Sequence, residues 1–140
     1  MRVLIDTSIW SLALRRRQRQ LGAEQSQLIA EWHRLIEDGS AVITGPVRQE
    51  ILSGIRSREQ FDRIRDRLAG FDCPELLVED FDQAAIFYNH LRSEGVAGGS
   101  IDLLICAIAY RHNLAIFTTD RDFDRYAQHL PIRLHSTSAS

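Results

Sequence analysis

Apolar residues along this chain follow two rhythms. Short uninterrupted runs, Val3-Leu4-Ile5, Ala41-Val42-Ile43 and Leu114-Ala115-Ile116-Phe117, predict strands buried on both faces, as in the middle of a parallel sheet. Between them, apolar residues recur at three- and four-residue spacing. That spacing predicts helices over residues 8–14 (capped by Thr7 or Ser8), 23–38 (stopped by Gly39), 46–54, 57–68, 100–110 and 123–130, and one from a cap at Asp80 or Asp82 to about residue 94. Leu76-Leu77-Val78 reads as a further short strand and Ile132-Arg133-Leu134 as a closing edge strand. The first strand therefore spans residues 2–5, the second 41–44 and the later one 114–120. Alternation of the two rhythms predicts an α/β fold: a mostly parallel sheet of four to five strands, with right-handed crossovers and helices on both faces. No repeat or linker divides the chain, so residues 1–135 are expected to form one domain and residues 136–140 a disordered tail.

Composition narrows the picture by exclusion. The 140 residues, 44% hydrophobic and 26% charged, suit one globular domain. A net charge of −2 argues against bulk electrostatic binding of nucleic acid, so any polyanion contact needs a local patch. Arg15-Arg16-Arg17-Gln18-Arg19 is either such a patch or a solvated helix end with cations placed favourably. All 17 basic residues are arginine, which removes Walker-type phosphate binding, Schiff bases and receiver-type lysines. Cys73 and Cys106 lack CxxC spacing and read as reduced thiols. With neither a leader-like N-terminus nor an apolar run near the roughly 20 residues that span a bilayer, a cytoplasmic protein without a membrane segment is expected.

The candidate chemistry is acidic. Asp6 ends the first strand and Asp120 the later one, at the edge where open α/β sheets bind ligands. Glu50 lies about a turn into the helix after the second strand. Asp102 sits in the first turn of the most apolar helix, just after Gly98-Gly99 and the expected cap Ser100. Each alone could be a cap or a helix-dipole acid. Four converging carboxylates would raise one another's pKa, a conflict that a hard divalent cation removes. An all-oxygen set suits Mg²⁺ or Mn²⁺, and none of the five histidines (His33, His90, His112, His129, His135), read as helix-surface or helix-end residues, has metal-ligand spacing. Such a site suits metal-activated water attacking a phosphodiester, with Thr7, Ser8, Ser100 and Thr118 as donors that could hold the acids.

Four motifs carry a resemblance: Val3-Leu4-Ile5-Asp6-Thr7-Ser8-Ile9-Trp10, the segment from Ile43-Thr44-Gly45-Pro46 through Glu50 to Gly54, Ser100-Ile101-Asp102-Leu103-Leu104, and Phe117-Thr118-Thr119-Asp120-Arg121-Asp122-Phe123. In order and spacing the chain resembles the PIN domains, and within them the VapC-type ribonuclease toxins of toxin–antitoxin modules. The resemblance implies a PIN fold with the first strand central, and a Mg²⁺- or Mn²⁺-dependent endoribonuclease with Asp6, Glu50, Asp102 and Asp120 as its acids. It assigns the metal to Asp6, Asp102 and Asp120, with Ser8 and Thr118 in support and Asp124 as a further candidate acid. It also implies a homodimer, an RNA substrate and a VapB-type antitoxin whose C-terminal segment blocks the site. Trp10, Leu14, Leu28 and Trp32 are the expected antitoxin groove, or else ordinary core. Competing expectations are a housekeeping RNA-processing nuclease and an inactive binding module. A receiver or haloacid-type phosphatase is disfavoured, since each needs a lysine and the phosphatase needs an acid where Ser8 stands.

Overall fold

The computed structural model describes residues 2–15 and 22–137. In chain order its elements are β1 (Val3–Ile5), α1 (Thr7–Arg15), α2 (Ala23–Glu37), β2 (Ala41–Val42), α3 (Gly45–Leu52), α4 (Arg58–Leu68), α5 (Val78–Ser93), α6 (Ser100–His112), β3 (Ala115–Phe117), α7 (Asp122–His129) and β4 (Arg133–Leu134). Four parallel strands stand in the order β2-β1-β3-β4. The central strand β1 pairs Leu4 with Val42 on one side and with Ile116 on the other. All three of its residues are buried, as an apolar run between two helical layers must be. The basic run after Arg15 and the last three residues of the expected tail lie outside the described residues.

Helix α6 fills the core. Leu103 through Ala109 are all buried, and the helix ends at Asn113 in the left-handed conformation (φ 55°), which a short polar side chain tolerates. Trp10 anchors the other side, donating from Nε1 to the Ile5 carbonyl at 3.0 Å and meeting Trp32 and Phe71 edge-on at 5.7 and 5.0 Å. Trp10 and Trp32 are thus core residues, while Leu14 and Leu28 pack partly buried against the core. A cavity of about 140 Å³ remains beside Trp10, Leu14, Trp32 and Phe71.

Leu76-Leu77-Val78 does not form a strand. Val78 is 76% exposed as the first residue of α5, and the flank of β2 is met instead by a single bridge from Val42 to Asp72. Neither Asp80 nor Asp82 is the α5 cap. Leu77 caps the helix, and the Asp80 carboxylate, three residues in, accepts its N–H at 2.9 Å. Likewise Gly99, not Ser100, caps α6, and the first bonds of α1 are accepted by the Asp6 carbonyl from Ile9 and Trp10. Thr7 and Ser8 are left free for other contacts.

One histidine departs from the helix-surface expectation. His135, just after β4, lies 2.5 Å from the buried carboxylate of Glu31 on α2, which Arg34 also grips with two bonds of 2.7 and 2.8 Å. Against its burial, the Arg34 guanidinium and then His135 hold the Glu31 carboxyl down at about 2, from 4.5. A depressed carboxyl stabilises the fold above its unfolded value and loses that contribution as pH falls through its folded one. Acid unfolding is therefore expected to steepen between about pH 4.5 and 2. A Glu31→Gln protein should show a flatter acid limb in thermal melts, and identical slopes would contradict this account.

Candidate active site

The site forms where β1 and β3 end side by side and three helices begin. Asp6 follows β1 directly, with its N–H bonded to the Phe117 carbonyl at 2.9 Å, so the sheet fixes its backbone. Its side chain is 7% exposed. Ser8 and Thr118 each donate to Oδ2, at 3.0 and 2.8 Å. These hydroxyls also organise the strand end opposite, because Ser8 Oγ accepts from the Thr119 N–H and Thr118 Oγ1 from the Asp120 N–H, both at 3.0 Å. One buried carboxylate and two hydroxyls thus lock the β1 and β3 ends together.

Asp102, in the first turn of α6, offers a carboxylate oxygen within 4.8 Å of oxygens from Asp120 and Asp122, and those two lie within the same distance of each other. Burial raises the Asp102 carboxyl to about 6, from 3.8; a hydrogen bond from Tyr126 works against this, and the charges of Asp120, Asp6 and Asp122 add to it. The sheet-edge acids therefore share one field. Among the described residues no basic side chain pairs with Asp6, Asp102 or Asp120, whereas Asp122 is bound by Arg125 at 2.7 Å. Glu50 is exposed at the margin, tied to the residue after Asp6 by a 2.9 Å bond from Thr7 Oγ1. Asp124 points to solvent and is not in the close group.

Two further residues take part here. In sequence Asp122 and Asp124 both crowd Asp120, which its strand-end position favours; in the fold the Asp122 N–H bonds back to Asp120 Oδ1 at 2.9 Å, an Asx turn that folds these two acids toward one another. Tyr126, which the sequence marks with no role, is the second. It is 1% exposed, and its hydroxyl reaches Asp102 Oδ2 at 3.1 Å.

The donor chemistry fits a hard divalent cation. The clustered groups are all carboxylate oxygens, and among the described residues neither histidine nor cysteine joins them. Helices α1, α6 and α7 each begin within a turn of one of these acids, and a helix N-terminus favours negative charge beside it. A parallel α/β sheet with carboxylates grouped at its carboxyl edge has the arrangement that suits cation-assisted phosphate-ester chemistry.

The chain belongs to the PIN domain family, whose model matches residues 3–128. Over 132 residues it is 35% identical to the VapC ribonuclease Mb1587 of Mycobacterium bovis, covering 90% of this chain and 92% of that one. Two solved structures share the fold. VapBC2 from Rickettsia felis, bound to a DNA fragment from its promoter, superposes with a TM-score of 0.73 at 17% identity, covering 96% of this chain and 98% of that one. A toxin–antitoxin complex from Klebsiella pneumoniae does so with a TM-score of 0.67 at 20% identity, covering 86% and 89%.

Proposed function

We propose that this chain is the toxin of a toxin–antitoxin pair, an endoribonuclease that hydrolyses RNA phosphodiester bonds at the Asp102, Asp120 and Asp122 group, with Asp6, outside that close group, at the strand end beside it. The observation that carries the reading is the close group of carboxylates without a basic partner for Asp102 or Asp120, at the sheet edge of a chain 35% identical to a named VapC ribonuclease. Asp6, Asp102 and Asp120 would hold a Mg²⁺ or Mn²⁺ ion, and Asp122 is placed to join them by exchanging Arg125 for the cation. When bound, the ion would lower the pKa of a water and polarise the phosphoryl oxygen.

The chain's own residues supply the rest. Ser8 and Thr118 fix Asp6 in orientation, each donating a hydrogen bond to Oδ2. Glu50, exposed and steadied by Thr7, stands at the margin where it can take a proton from the attacking water.

Partners follow the same reading: a VapB-type antitoxin and a second copy of the chain. The α5–α6 surface exposes Phe81 and Ile101 beside a pocket of about 430 Å³, an apolar face that supports self-association. Among the described residues no helix is long and apolar enough to cross a membrane, and the RNA substrate puts the activity in the cytoplasm.

The test is cleavage of total cellular RNA by the purified chain. Defined fragments are expected with Mg²⁺ or Mn²⁺, and none in excess EDTA, with recovery when the metal is restored. Cutting that persists in EDTA would refute the metal-dependent mechanism. Intact RNA with either ion would favour the inactive binding module.

A further inference from the structure

This inference rests on the functional reading above and concerns how Asp102 is kept available. The chain places an acid at the third position of three helices, α5, α6 and α7, and wires those of α5 and α6 oppositely. In α5 the Asp80 carboxylate folds back onto the cap N–H of Leu77 and is neutralised by Arg111. That is a common arrangement for an acid at this position, because the cap N–H has no partner within the helix. In α6 Asp102 occupies the same position relative to the cap Gly99 but has neither partner. The Gly99 N–H goes to the Tyr126 hydroxyl at 3.4 Å, and that hydroxyl gives its own proton to Asp102 Oδ2 at 3.1 Å. Oδ2 lies close by Gly99, 3.5 Å from where a Cβ on that glycine would stand, so the cap is within easy reach of the carboxylate.

We infer that Tyr126 is a positioning residue: its hydroxyl intercepts the α6 cap N–H and so prevents Asp102 from collapsing into a capping box, leaving this carboxylate turned toward the cation site. Tyr126 is held rigidly for the task. Its ring is buried and packs edge-on against Phe123 at 5.3 Å, and no other hydroxyl among the described residues bonds Asp102.

The test is Mn²⁺ titration of the full chain by calorimetry, without RNA. Tyr126→Phe keeps the ring and removes one oxygen, so Asp102 is free to take the Gly99 N–H. Its Mn²⁺ affinity is expected to fall about tenfold, as for loss of other groups that orient a metal ligand, with the metal-free melting temperature unchanged. Gly99→Pro in the Tyr126→Phe background deletes the competing N–H at a φ of −78°, which proline accommodates. Affinity should then return to within about threefold of wild type.

An affinity of Tyr126→Phe within about twofold of wild type would overturn the inference. So would a loss that the proline does not restore, or loss of cooperative unfolding on removing this one oxygen, since both would make the hydroxyl a packing group. Asp102→Asn separates the two levels of the argument. Mn²⁺ binding that is absent in the wild type, or unchanged in Asp102→Asn, would overturn the functional reading and this inference together. Binding lost in Asp102→Asn but kept in Tyr126→Phe would overturn this inference alone.

Discussion

Asparagine in place of Asp102 is expected to remove RNA cleavage by about a thousandfold or more, while the protein stays folded. The magnitude follows from what the carboxylate does. A cation that stabilises transition-state charge contributes several kcal/mol, and each 1.36 kcal/mol is a factor of ten in rate. The amide keeps the size of the side chain and can still meet the Tyr126 hydroxyl, but it brings no charge to the cluster. Stability should move the other way. In the metal-free protein, burial and the neighbouring acids raise the Asp102 carboxyl to about 6, so the fold disfavours its ionised form. A raised acid costs stability as pH climbs through the interval from its unfolded value of 3.8 to about 6, and the neutral amide is free of that cost at pH 7. Metal-free Asp102→Asn should therefore melt no lower than wild type. A gel assay of RNA fragments beside a thermal melt reads both effects, and full cleavage by this variant would remove Asp102 from the mechanism.

Arg111→Ala is expected to cause the largest loss of stability among single substitutions away from the site. Asp80 is 1% exposed, and Arg111 grips both of its oxygens at 2.6 and 2.9 Å while donating to the Glu75 carbonyl at 2.9 Å. Burial pushes the Asp80 carboxyl up, but Arg111 and the Leu77 N–H outweigh it and hold the group below its usual value. Deleting the guanidinium leaves a buried charge with one backbone donor. Breaking a buried pair from one side costs about 3–5 kcal/mol. For a chain of this size that is a fall of roughly 10 °C in melting temperature. Asp80→Asn in the Arg111→Ala background should recover most of the loss, because a neutral amide can still accept the Leu77 N–H without needing a counter-ion. A fall below about 2 °C for Arg111→Ala alone would show that solvent reaches Asp80.

Much of this molecule was legible in one dimension. Periodicity is a local property, and so the runs at residues 3–5 and 115–117 and the apolar helix after Gly99 could be read directly as strands and helix. Because a parallel sheet presents the ends of its strands at one edge, acids at strand ends are candidates to meet there. Asp6 and Asp120 follow this logic, and Asp102 stood out because its helix is apolar on every side. The local rules failed where two structures compete for the same few residues. Leu76-Leu77-Val78 is as apolar as a strand, but Asp80 closes a helix cap back onto Leu77, and helix α5 takes the segment.

What sequence by itself determined, then, was the order of the elements, the central place of β1 and the set of acids at the sheet edge, since each depends on neighbours along the chain. Only tertiary structure decided which acids meet. Asp122 and Asp124 both crowd Asp120 in sequence, yet one turn at Arg121 brings Asp122 to Asp120 and leaves Asp124 exposed. Tyr126 shows the same limit. Its apolar ring fits the helical rhythm of α7, and nothing in that rhythm discloses that its hydroxyl spans to the start of α6, 24 residues earlier, to hold Asp102. Side-chain direction and contacts between distant segments are set by packing, and packing exists only once the chain has folded.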